Sequence, residues 1–182
     1  MTEISFFSAE LALALVWIFL RLAVWARQRR IDWRREAQLL LMYVNLAVIL
    51  RFAFFPMERL QGRVQPLLFD AAAVLPLRVN LRPLVQILWF ASRRDLLLNL
   101  IGNVCLFIPS GIILPILYRR LDRFWKVTAA GALLSLGVEL LQLPFYVRAT
   151  DVDDLLLNTL GVMLGYGVYA LCGKAKTERP DS

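Results

Sequence analysis

Five stretches of this chain, Phe6–Trp25, Ala37–Phe55, Leu96–Leu117, Val127–Tyr146 and Val152–Leu171, are almost wholly apolar. Each has about the 20 residues that a helix needs to cross a hydrocarbon core about 30 Å thick. Within such a core every backbone N–H and C=O must find a partner in the protein, so runs of this length can only be helices. Charged residues make up 19% of the chain and hydrophobic ones 59%, where a soluble domain carries about a quarter charged. The chain is therefore an all-α membrane protein, a bundle of about five transmembrane helices. Its start, Met1-Thr2-Glu3, has no basic residue and its first apolar run lacks a small-residue cleavage site, so that run is expected to stay as a span.

Between the second and third spans lie two apolar pieces too short to cross, Leu67–Leu77 and Leu84–Ala91. Joining them would bury Arg78 and Arg82, so they are expected to be interfacial or re-entrant segments. Basic residues set the orientation. Arg27, Arg29, Arg30, Arg34 and Arg35 occupy the first connection, Arg119, Arg120, Arg123 and Lys126 the third, and Lys174, Lys176 and Arg179 the tail. With five spans these three regions share one side, which puts the C-terminus in the cytoplasm and the N-terminus outside. The tail from Gly173 is polar and expected to be disordered.

Composition also narrows the chemistry. The chain has no His, so catalysis would rest on carboxylates, amides, Arg or Tyr. Cys105 and Cys172 fall within apolar runs and imply no disulfide framework. The net charge of +7 fits basic loops against anionic lipid, and no nucleic-acid partner is expected. Nothing in the sequence calls for a cofactor.

One octet occurs twice. Asp95-Leu-Leu-Leu-Asn99-Leu-Ile-Gly102 is echoed by Asp154-Leu-Leu-Leu-Asn158-Thr-Leu-Gly161, and each opens a span. An Asp at a helix start meets free N–H groups, and Asn and Gly at four and seven residues share its face. The echo is either a structural repeat or shared helix-start chemistry, with Asn and Gly serving helix packing.

Polar residues cluster at a common outer depth. At 1.5 Å per residue, Asn103 lies about 12 Å down the third span and Glu139 about 10 Å from Tyr146 in the fourth. By the same rise Asn158 is roughly 6–10 Å inside the fifth span and Arg51 roughly 6–8 Å inside the second. Ser135, Glu139 and Gln142 form one stripe, and Asp95, Asn99 and Asn103 another. Pro144 is expected to free the carbonyl of Leu140 within the fourth helix. A charge in the membrane costs roughly 2.5–3.5 kcal/mol, which makes such residues functional candidates. The ligand-binding candidates are Arg51, Asn99, Asn103, Glu139, Gln142, Arg148, Asp151, Asp153, Asp154 and Asn158. They suggest a polar cavity opening outward, with Arg51 as the ion partner of Glu139. The alternative is a buried polar network that only sets helix register. Asp151, Asp153 and Asp154 are weak metal candidates, since three acids at a helix start more often cap it. Arg21 is expected to snorkel.

These residues carry a resemblance. Asn99-Leu-Ile-Gly102-Asn103 through Pro109-Ser-Gly111, Glu139-Leu-Leu-Gln142, and Arg148-Ala-Thr-Asp151-Val-Asp153-Asp154 through Asn158-Thr-Leu-Gly161 resemble the VanZ-like family, with weaker matches at Arg51–Pro56 and Asn80–Pro83. The resemblance implies a family domain over 36–172, preceded by an added helix and basic loop over 1–35 and followed by a tail over 173–182. It implies a bacterial inner-membrane setting and a link to low-level teicoplanin resistance, without an established reaction. The expected function is binding of a lipid-linked or lipoglycopeptide ligand among membrane lipids. The alternatives are a carboxylate- or metal-dependent enzyme on a lipid-linked substrate, or a scaffold with no ligand. No nucleophile elbow, Cys–His pair or phosphate loop supports an enzyme, and the oligomeric state is left open.

Overall fold

A computed structural model describes residues 2–55, 59–60, 62–74, 79–80, 92–145 and 150–177. Five of its helices are long and apolar enough to cross a membrane: Phe6–Gln28, Trp33–Phe54, Leu96–Leu117, Phe124–Gln142 and Val152–Gly173. The protein is multi-pass and all-α in its spans, as the apolar runs require. The chain divides into two compact units, one made of Met1–Arg78 and Leu140–Thr150, the other of Val79–Glu139 and Asp151–Ser182.

The first unit opens with β1 (Thr2–Ile4), followed by α1 (Phe6–Gln28) and α2 (Trp33–Ile49). Ser5 caps α1 and Asp32 caps α2, each side chain accepting from a backbone N–H three residues on. No residue of α1 is buried, as expected of a helix whose solvent is lipid. Arg21, expected to snorkel, instead makes a two-point ion pair with Glu36 on α2, with Nε donating to Oε2 at 2.9 Å. After α2 the helix widens into a π-turn over Leu50–Phe54 and stops at Phe55, whose backbone is extended (φ −98°, ψ 129°). Pro56 follows, and the residue before a proline is disfavoured from the helical region.

Short strands β2 (Arg59–Leu60), β3 (Arg63–Val64) and β4 (Leu67–Phe69) come next, with a 3₁₀ turn over Ala71–Val74. β1 pairs antiparallel with β4 in the register Thr2↔Phe69, Glu3↔Leu68 and Ile4↔Leu67, and Phe69 also bridges to Phe145. Of the two expected interfacial pieces, the first is thus a strand and a short turn over its described residues, and Leu84–Ala91 lies outside the described residues. Phe54 and Phe69 each meet the ring of Phe145 edge-on at 5.9 Å.

In the second unit β5 (Val79–Asn80) is followed by α3 (Arg93–Leu117), α4 (Phe124–Gln142), β6 (Thr150–Asp151) and α5 (Val152–Thr177). α3 and α5 are joined by an interlock of small residues. The Cα of Gly161 lies against the carbonyl of Val104, that of Gly165 against the carbonyl of Ile108, and that of Gly111 against the carbonyl of Val162. In lipid, where apolar side chains gain nothing by leaving solvent, close backbone approach is what associates helices. Phe107 and Val162 are fully buried at this seam, and Val127 is fully buried on α4.

Of the boundaries that differ from the sequence reading, the ends of α4 and α5 matter most. α4 ends at Gln142 rather than Tyr146. Pro144 lies in a closing turn, and the Leu140 carbonyl expected to be free accepts from Leu143 N at 3.4 Å. Proline here stops the helix instead of kinking it. α5 continues to Thr177, past Gly173 where the disordered tail was expected to begin; residues 178–182 lie outside the described residues.

Candidate functional site

The first turn of α5 is where the second unit gathers its polar groups. Asp151 precedes the helix, and its Oδ1 accepts from Asp153 N at 3.0 Å, an N-cap that meets one of the free donors of the helix end. Asp153 and Asp154 follow in the first turn, where the helix dipole favours negative charge. Each of three further segments adds a contact. From α4, Glu139 Oε2 accepts from Asp151 N at 3.1 Å. From α3, Asn103 Nδ2 donates to Asp154 Oδ1. From β5, Asn80 Nδ2 donates to Asp151 Oδ1 at 3.3 Å.

One turn further into α5, Asn158 Nδ2 donates to Ser135 Oγ on α4 at 2.9 Å. The ladder Glu139·Asp151 and Ser135·Asn158 therefore runs antiparallel, four residues apart on α4. Glu139 is 2% exposed and Asn158 4%. With α4 ending at Gln142, Glu139 stands about 5 Å from the end of its helix by the rise per residue, nearer the end than the sequence implied.

The structure thus brings together Asn103, Glu139, Asp151, Asp154 and Asn158 from the sequence candidates, with Asp153 beside them. Asn99 is exposed on α3. Arg51 and Gln142 belong to the first unit. There Gln142 Nε2 donates to Ala53 O at 2.7 Å and Arg51 Nη1 to Phe55 O at 3.0 Å. These bonds meet carbonyls at the π-turn, and the Arg51 guanidinium lies 5.5 Å from the ring centres of Phe6 and Phe52. Glu139, its expected ion partner, is a member of the second unit. Arg148 lies outside the described residues. Among the described residues no three His, Cys, Asp or Glu side chains converge to hold a metal ion.

Two members of the cluster were absent from the sequence candidates. Ser135 stands four residues before Glu139 on the same stripe, which is signal enough to include it. Asn80 reaches Asp151 across 71 residues of chain, and no local pattern announces such a pairing.

The family model of VanZ/LLP1 matches residues 11–173, a stretch running from within α1 to the far part of α5. The chain belongs to the VanZ/LLP1 family. It is also 35% identical over 81 residues to Protein VanZ of Enterococcus faecium, an alignment covering 44% of this chain and 50% of that protein. The chain thus spans about half the length of this curated relative. No solved structure matches. The family match takes in all five helices at least in part, together with every residue of the polar cluster.

Proposed function

We propose that this VanZ-family protein lies in a bacterial cytoplasmic membrane with its N-terminus outside and its C-terminus inside. We infer further that the polar cluster on the first turns of α5 faces outward and binds the head group of an envelope amphiphile, a lipid-linked or lipoglycopeptide molecule. On this reading the protein contributes to tolerance of glycopeptides of the teicoplanin class. The observation that carries the proposal is the convergence of Asn80, Asn103, Glu139 and Ser135, from three other elements, on Asp151 at the start of α5 and on Asp154 and Asn158 within it.

Packing alone does not call for that convergence. Gly111, Gly161 and Gly165 already fix the register of α3 on α5 by close backbone approach. Three buried carboxylates, Glu139, Asp151 and Asp153, and the buried amide of Asn158 are costly additions in a membrane and mark a functional site by default. The basic first and third connections support the orientation.

The test is native mass spectrometry of the protein released from detergent, alone and after incubation with teicoplanin, for wild type, Glu139→Gln and Asp154→Asn. A retained lipid or glycopeptide adduct that both variants lose is the expected result. Bare protein mass in the wild type, or an adduct equally held by both variants, overturns the proposal.

A further inference from the structure

One atom of the cluster is left over. Asn158 spends Nδ2 on Ser135 at 2.9 Å, while its Oδ1 is buried without a hydrogen-bond partner among the described residues. Buried polar atoms are nearly always satisfied, and leaving one unmet costs about 1–3 kcal/mol. An Asn kept only to hold α4 on α5 has no use for that cost, because the Ser135 bond needs the amide N–H alone. The unmet oxygen stands one helical turn below Asp154 and on the face that carries Asp151, at the deep end of the ladder whose upper rung is Glu139.

We infer that Asn158 Oδ1 is the deep recognition atom of the site and accepts a hydrogen bond from a donor on the bound head group, an ammonium or a hydroxyl. The inference rests on the amphiphile-binding reading and specifies what the ligand must present. Head groups without an N–H or O–H leave the acceptor unmet and bind more weakly. Ser135 acts as the positioning partner: its Oγ accepts from Nδ2 at 2.9 Å, and Oδ1 is the other end of the amide. Neither role requires a charge on the ligand, which separates the requirement from simple attraction to the acids above.

The experiment compares lipids of one acyl chain that differ in head-group donors; the ethanolamine and choline lipids match in net charge, whereas the glycerol lipid is anionic, so its retention counts only where Asn158→Leu removes it. Wild-type protein in detergent is incubated with dioleoylphosphatidylethanolamine, whose ammonium carries N–H donors, and with its trimethylated counterpart dioleoylphosphatidylcholine, which has none. Dioleoylphosphatidylglycerol supplies the hydroxyl arm. Retention is read by native mass spectrometry. We expect at least one donor-bearing lipid to be held about tenfold more strongly than the choline lipid, the worth of one buried acceptor satisfied. Which of the two is held identifies the donor as ammonium or hydroxyl. Asn158→Leu is expected to abolish this preference while still retaining lipid, and Ser135→Ala to weaken it without abolishing it.

Equal retention of all three lipids by the wild type overturns the inference while the amphiphile reading stands, and needs no variant to fold. A preference unchanged in Asn158→Leu overturns it as well, and would mean that water alone meets Oδ1. Retention of no lipid by the wild type overturns both.

Discussion

The octets that open α3 and α5 carry Asp, Asn and Gly at the same offsets, and the fold treats them oppositely. Asn158 is buried against Ser135, whereas Asn99 is exposed. Gly161 lies against the backbone of Val104, whereas a side chain at Gly102 would meet nothing. The starts of the two helices differ too. α3 is capped by Ser92, whose Oγ accepts from Arg94 N at 3.1 Å. α5 is capped by Asp151 and buttressed by Glu139 from another helix. Shared local chemistry thus makes both segments helices, and the neighbour that each helix meets decides whether its polar residues become a site.

The contrast breaks most sharply at glycine. Gly161→Ala drives a methyl group into the Val104 carbonyl and is expected to cost about 2–3 kcal/mol, as overpacking does. Gly102→Ala is expected to cost nothing. Thermal unfolding in one detergent, followed by circular dichroism, reads both, and equal midpoints would show that the two octets pack alike.

The second effect in size concerns the caps. Glu139→Ala removes the buried acceptor of Asp151 N and is expected to lower stability by about 2 kcal/mol, the range of hydrogen bonds to charged groups. Ser92→Ala removes an ordinary N-cap and should cost about 1 kcal/mol. The same melts rank them, and a reversed order would place the strain of the unit at α3.

Next come the amides. Asn158→Ala leaves Ser135 without its partner and is expected to cost about 1 kcal/mol, typical of a polar contact between membrane helices. Asn99→Ala should lie within about 0.5 kcal/mol of wild type, as exposed substitutions do. A matching loss at Asn99 would mean that its face is covered in the folded protein in solution.

The smallest effect lies at the start of α4, where Asp122 stands just before the span and Lys126 in its first turn. Lys126 donates to Asp122 at 2.7 Å, and that hydrogen bond holds the Asp122 carboxyl below the usual aspartate range. A lowered folded value means that the pair contributes only when Asp122 is ionised. Its contribution is present above the unfolded value of about 3.9 and fades as pH falls through the lower folded one. Asp122→Asn is expected to shift the melt barely at neutral pH, because the pair is exposed. Wild type and variant should then converge in acid. Divergence in acid would reverse the sign argued here.

Much of this was legible from residue order. The helix of the third span takes in the whole apolar run and ends at Leu117, where hydropathy puts its end, because a run that must hide its backbone from lipid has one way to do so. Glu139, Asp151, Asp154, Asn158 and Asn103 stood out because polar residues in apolar runs are costly, and they do meet one another. The end of α4 was misread because a proline two residues past the helix can kink or terminate it, and the closing turn at Leu143 decides which.

What the sequence determined by itself is the number of spans, their amphiphilic exceptions and the family, since each depends on local length, hydropathy and spacing. Only the tertiary structure decided which of two near-identical octets is buried, that Asn80 reaches Asp151, that Glu36 answers Arg21, and that Asn158 keeps one oxygen unmet among the described residues. Those outcomes depend on which helix faces are brought to within 3 or so ångströms of one another (about a hydrogen bond's length), and no periodicity along a single helix encodes its neighbour.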